Sequence, residues 1–106
     1  MYKAMAPDLR YTLLPHRALL RVSGADAVSF LQGLITNDAR KLEKGEALYA
    51  LLLTPQGKFL HDFFLYPEAG GIYLDVVASR ANDLLGRLKL YRLRSKVEIE
   101  ALAGHR

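Results

Sequence analysis

The stretch "GKFLHDFFLY" sets an imidazole and a carboxylate, His61 and Asp62, side by side in an otherwise apolar run. Side chains alternate along an extended strand. That places Lys58, Leu60, Asp62, Phe64 and Tyr66 on one face and Phe59, His61, Phe63 and Leu65 on the other. Aspartate is disfavoured in strands and costly to desolvate alone, so Asp62 calls for a partner. In a structural reading the partner is Lys58, Arg80 or another local cation. In a functional reading the carboxylate accepts hydrogen bonds from the nitrogens of a flat heterocycle lying near Phe64 or Tyr66. His61 reads as a satisfied sheet histidine rather than a catalytic base, and no residue is assigned a catalytic role.

A second polar corner, "ITND", offers Asn37 and Asp38. Thr, Asn and Asp after a helix are ordinary turn chemistry, and the same side chains could also line a ligand cavity. Asp75, inside "YLDVV", is expected to be an edge or cross-strand ion partner. The chain has no cysteine, which excludes disulfides and thiolate sites within it. His16, His61 and His105 share no metal-binding spacing, so no metal is expected. The net charge of +4 is concentrated in "GRLKLYRLRSK", with Arg87, Lys89, Arg92, Arg94 and Lys96. Such a run is either a solvated helix face or an attractor of anions.

The elements that must position these residues are legible from periodicity. "RALLRV" reads as a strand, and "YTLLPHRALLRVSG" as extended at both ends with Pro15 breaking it. Ala27, Phe30, Leu31, Leu34 and Ile35 recur at helical spacing, which predicts a helix over residues 24–38 capped by Ser23. Three apolar runs separated by "TPQG" and "PEAGG" then predict three consecutive antiparallel strands. Ser79 is the expected cap of a second helix over residues 80–94. "VEIEAL" alternates as a half-exposed strand. The order β-α-β-β-β-α-β predicts an α+β fold, an antiparallel sheet with two main helices packed against it. At 106 residues, 51% of them hydrophobic, the chain suits one soluble domain, residues 1–106. No apolar run approaches the roughly 20 residues of a membrane span, and the N-terminus lacks a secretory h-region. A cytoplasmic protein is the expectation.

With these elements in place, "VSGADAVSFLQGLITNDARKLEKGEALYALLLTPQGKFLHDFFLY" resembles the amino-terminal region of a folate-dependent family. That family includes the glycine-cleavage T-protein (aminomethyltransferase) and the YgfZ-type iron–sulfur cluster maturation proteins. "FLQGLITND" and "TPQGKFLHD" are the specific pieces, and they are more similar to the YgfZ branch. The resemblance implies that this chain is the amino-terminal lobe of a longer protein, an implication that suits the abrupt tail "AGHR". It implies tetrahydrofolate as the ligand, with Asp62, His61, Asn37, Asp38, Phe64 and Tyr66 as candidate contacts to folate. Iron–sulfur proteins are the implied clients, and a folate's polyglutamyl tail is an anion that the basic helix could attract. The T-protein typically carries two aspartates where this chain has His61 and Asp62. The later "KGCYxGQE"-like signature of the YgfZ branch does not occur in these residues.

Two readings from other classes compete. One is a small basic nucleic-acid-binding α+β module, whose strand order is similar to this one. The other is a ligand-free interaction module that buries an apolar face by homo-oligomerisation. The aromatic strand carries Asp62 where an RNA-facing surface should be neutral or basic, so nucleic-acid binding at physiological salt is expected to be weak or absent. Tight binding with a steep salt slope in a filter or anisotropy assay would promote the nucleic-acid reading.

Overall fold

The computed structural model describes residues 16–102. The extended reading of residues 11–15, His105 and the tail "AGHR" lie outside them. The elements run β1 (Arg17–Ser23), α1 (Ala27–Gln32), a 3-10 helix (Ala39–Lys44), β2 (Leu48–Leu53), β3 (Phe59–Glu68), β4 (Gly71–Val77), α2 (Ala78–Tyr91) and β5 (Glu98–Ala101). The five strands form one sheet in the order β2-β3-β4-β1-β5, and every pairing is antiparallel. This is the expected α+β architecture.

Alternation along the strands builds the core. Leu20 and Val22 of β1, Ala50 and Leu52 of β2, Phe63 and Leu65 of β3, and Leu74 and Val76 of β4 all join one buried cluster. The helices supply the other half through Phe30 and Leu31 of α1 and Ala81, Leu84 and Leu88 of α2. Both helices therefore cover the same side of the sheet. The opposite side carries the alternate residues, including Tyr49, Asp62, Phe64 and Tyr66.

The β2–β3 turn sets which residues go where. Gly57 N donates to Thr54 O at 2.8 Å, Thr54 N donates to Lys58 O at 2.7 Å, and Gly57 sits at φ +87°. This is the turn expected at "TPQG", tightened by a left-handed residue that glycine adopts without strain. The resulting register pairs Leu51 with Asp62 and Tyr49 with Phe64.

The first helix is shorter than its periodicity predicts. It ends at Gln32, because Ile35 leaves the helix to bridge Leu52, and Thr36 N donates to Leu51 O at 3.1 Å. Pairing to the sheet edge overrides the helical spacing while still burying Ile35. The residues after it form the separate 3-10 helix.

The expected caps are also corrected. Neither helix has a side-chain cap: Asp26 precedes α1, and Val77 leads β4 directly into α2, so Ser79 lies inside the first turn. The second helix starts at Ala78 and stops at Tyr91, just before Leu93 adopts φ +39°.

Asp26 has a different task. Its carboxylate accepts Lys96 N at 2.8 Å and its own N–H donates to Lys96 O at 3.2 Å. This reciprocal pair ties the start of α1 to the entry of β5, and Gly24 makes the close approach feasible. A Cβ on Gly24 would lie 2.4 Å from Lys96 O, and its φ is +114°.

Two glycine-to-alanine changes should therefore move stability in opposite directions. Gly24→Ala is expected to cost at least about 2 kcal/mol through strain and steric conflict. Gly86→Ala, within α2 and with nothing near its added Cβ, should stabilise by roughly 0.5–1 kcal/mol. Urea unfolding midpoints of the two variants check both signs.

Candidate functional site

On the side of the sheet away from the helices, neighbouring strands bring Asp62, Tyr49 and Phe64 together. The register sets Tyr49 opposite Phe64 and diagonal to Asp62, within reach of a long side chain. Tyr49 Oη donates to Asp62 Oδ2 at 2.6 Å, and the Tyr49 and Phe64 rings lie 5.1 Å apart at 52°. A carboxylate accepting a hydrogen bond favours the protonated phenol, so Tyr49's hydroxyl titrates above its usual range. Among the described residues no cation pairs with Asp62. Lys58 and Arg80, the partners of the structural reading, are not its neighbours in an ion pair, and Arg80 instead donates to Leu60 O at 2.7 Å. The second oxygen, Oδ1, is left with acceptor capacity.

Asp62 also borders a small cleft of about 140 Å³ between the ends of β3 and β4 and the start of α2. Phe59, Leu60, His61, Val76, Val77 and Arg80 line it with Asp62. Further along the same face Tyr66 stacks at a tilt on Tyr73, 5.9 Å between centroids. Tyr66 is buried and Phe64 half-buried. Asp75 is fully buried on the central strand β4, where Arg17 Nε reaches its Oδ1 at 2.9 Å and Arg17 Nη2 its carbonyl. It is the cross-strand ion partner expected of it, held from β1.

His61 points the other way, into the helix side. Its Nε2 lies 2.7 Å from Asp83 Oδ2 of α2, and Arg87 Nε donates to the same oxygen at 2.9 Å. The carboxylate accepts both, so Nε2 carries a hydrogen. Arg87 first and His61 second hold the Asp83 carboxyl below its usual range. His61 thus anchors α2 to β3, and it meets Asp62 only at the small cleft that both residues line.

The "ITND" corner lies along the edge of β2. Asn37 Nδ2 donates to Tyr49 O at 3.0 Å, and its Oδ1 accepts Asp38 N at 2.7 Å. Asp38 accepts Arg40 N and pairs with the Arg40 guanidinium, which drops its carboxyl to about 2. Both side chains serve backbone and turn. Asn37 nonetheless steadies the backbone of Tyr49, whose hydroxyl holds Asp62.

Of the residues the site uses, Tyr49 is missing from the sequence expectations. The alternation of "LYALLL" together with the "TPQG" hairpin contains the signal. Asp83 carries no such signal, because its contact with His61 depends on how α2 docks. Among the described residues no three His, Cys, Asp or Glu side chains gather as metal ligands, and no helix is long and apolar enough to cross a membrane.

Comparison with known proteins gives this geometry a context. A family model described as "GCVT N-terminal domain" matches residues 15–104. Among curated proteins, the chain is 38% identical over 96 residues to the "Iron-sulfur cluster assembly factor IBA57 homolog, mitochondrial" of Pyricularia oryzae, covering 87% of this chain and 24% of that protein. The similarly named protein of Neurospora crassa is 38% identical over 104 residues, covering 90% and 24%. The chain thus spans about a quarter of the length of these relatives. Among solved structures, the glycine cleavage system aminomethyltransferase T from Bartonella henselae superposes with a TM-score of 0.74 at 27% identity, over 82% of this chain and 24% of that one.

The Tyr49–Asp62 bond makes a prediction in the alkaline range. The hydroxyl's folded-state value is raised, so its contribution to stability is present below the ordinary tyrosine value of about 10 and is lost as pH rises through the higher folded value. Near-ultraviolet absorbance titration should show a late-ionising step from Tyr49 in the native protein. That step should vanish in Tyr49→Phe, and in Asp62→Ala it should return to the ordinary range.

Proposed function

Because the chain belongs to the GCVT N-terminal domain family, we propose that it is the tetrahydrofolate-binding amino-terminal lobe of a longer YgfZ-type iron–sulfur cluster assembly factor. The observation that carries this reading is Asp62: a carboxylate fixed at one oxygen by Tyr49, with acceptor capacity at the other, set beside aromatic rings. A pterin is a flat ring with N–H donors along one edge. Asp62 offers an acceptor for that edge, and Tyr49 and Phe64 offer apolar contact for its plane. The residues present therefore fit the group, which when bound supplies a one-carbon carrier. Asn37 acts behind them through the Tyr49 backbone.

The dimensions argue that the site is shared. A pocket that encloses a ligand of drug size takes roughly 300–1,000 Å³. The cleft beside Asp62 has about 140 Å³, so this lobe provides one wall and other residues of the full-length protein provide the rest. The iron–sulfur role rests on the names of the fungal relatives. The chain has no cysteine, so any thiolate ligand to a cluster would come from elsewhere in the full-length protein.

Location is a separate proposal. The cytoplasm is the location expected from the sequence, whereas the relatives are named mitochondrial. Fractionation of cells expressing the full-length protein decides between the two.

Calorimetry on the full-length protein tests the folate reading. Asp62→Ala should weaken tetrahydrofolate binding by roughly 1.5–3 kcal/mol, the range for a hydrogen bond to a charged group, with the unfolding midpoint little changed. A variant that unfolds while its affinity per folded molecule is unchanged makes Asp62 a structural residue. For the client role, cells lacking the protein should lose iron–sulfur enzyme activity and recover it with the parent gene.

A further inference from the structure

The end of α2 carries a feature that the folate reading does not use. The buried stripe of this helix is Ala81, Leu84 and Leu88, yet Leu90 is 70% exposed and Leu93, just beyond the helix, is 85% exposed. They are three residues apart in sequence, one in the last turn of the helix and one just past its C-cap, Arg92. Leu93 also sits at φ +39°, a region where a leucine is strained. Lys89, Arg92, Arg94 and Lys96 neighbour the two leucines in sequence, and residues 89–97 contain no acid.

The surface is held in shape. Asp26 grips Lys96 through both backbone groups, Ser95 N donates to Arg92 O, and Arg92 Nη1 donates to Val97 O at 3.3 Å. Beside it runs an open groove of about 490 Å³, bounded by Gly24, Ala25, Arg92, Leu93 and Lys96, with Glu98 as its one acid. Cations near a helix C-terminus are explained by the helix dipole. Two exposed leucines, one of them in a strained conformation, are not.

We propose that residues 89–96 form a docking surface for an acidic protein segment bearing aliphatic side chains. The cations supply charge complementarity, the leucines supply apolar contact, and the latch at Lys96 preorganises the groove so that little ordering is lost on binding. A second copy of this chain would meet like charge at this face. Single-stranded RNA would require exposed aromatic stacking platforms, and residues 89–96 offer only the half-buried Tyr91. A membrane surface would require a broader apolar face than two leucines provide.

The test uses the full-length protein and a fluorescein-labelled peptide composed of Glu, Asp and Leu, followed by anisotropy, with labelled single-stranded RNA and phosphatidylglycerol vesicles as parallel arms. The peptide should bind, weaken with salt, and bind roughly tenfold less tightly to Arg94→Glu and to Leu93→Asn, a residue that tolerates the left-handed backbone. Unfolding midpoints confirm that both surface variants are folded. Equal affinity for Leu93→Asn and the parent would reduce the effect to nonspecific charge and overturn the proposal. So would absence of peptide binding, or stronger binding to RNA or vesicles. Slow amide exchange at residues 92–94 in the unliganded full-length protein would show the surface already covered from within, and would overturn it as well. None of these outcomes depends on folate binding.

Discussion

The register of the β2–β3 hairpin is the constraint on which the rest of the structure depends. A strand has a side-chain period of two, so a slip of one residue would send every side chain to the opposite face. In the register set by the "TPQG" turn, Phe63 and Leu65 complete the core and His61 meets Asp83 on α2, while Asp62 and Phe64 meet Tyr49 on the far side. Slipped by one, the core would receive a carboxylate with no partner, and the far side would receive Phe63 and an imidazole. The cost of that alternative is what makes the turn decisive. The adjacent His61 and Asp62 are compatible because each is held by a different partner, Asp83 on the helix side and Tyr49 on the far side.

The two halves of the chain are joined by polar contacts that each satisfy more than one demand. Asp83 receives both His61 and Arg87, so a single carboxylate orients a buried ring and steadies a helix surface. Asp26 leaves its helix uncapped in order to hold Lys96, which fixes the path from α2 into β5. Arg17 binds both the side chain and the backbone carbonyl of Asp75, so the central strand tolerates a fully buried acid. Apart from the i,i+4 pair of Arg87 with Asp83, each contact spans a large sequence separation, and together they hold the sheet and helices in one arrangement.

This distribution explains what could be read from the chain. Strand number, strand faces and the helical stripe of α2 are local properties of period and turn chemistry, and they are where the pattern places them. Ile35 shows the limit: its spacing fits a helix, but its burial is achieved by bridging Leu52 at the sheet edge, and periodicity cannot separate the two. Asp62 shows another. Its face follows from alternation, whereas its partner follows from a pairing register that joins residues 13 positions apart. Asn37 and Asp38 were legible as turn residues or as cavity residues, and only the positions of Tyr49 and Arg40 show what their side chains hold.

The docking of residues 35–37 along β2 has a consequence for the life of the chain before it is fully folded. β2 is the terminal strand of the sheet, and the bridge at Ile35, the Thr36 bonds to Leu51 and the Asn37 bond to Tyr49 occupy its outer hydrogen-bonding groups. Until that corner arrives, "LYALLL" is an apolar template ready to recruit a strand from a neighbouring molecule. The corner therefore guards the edge of the sheet, and a chain in which it is displaced would present that strand to its neighbours.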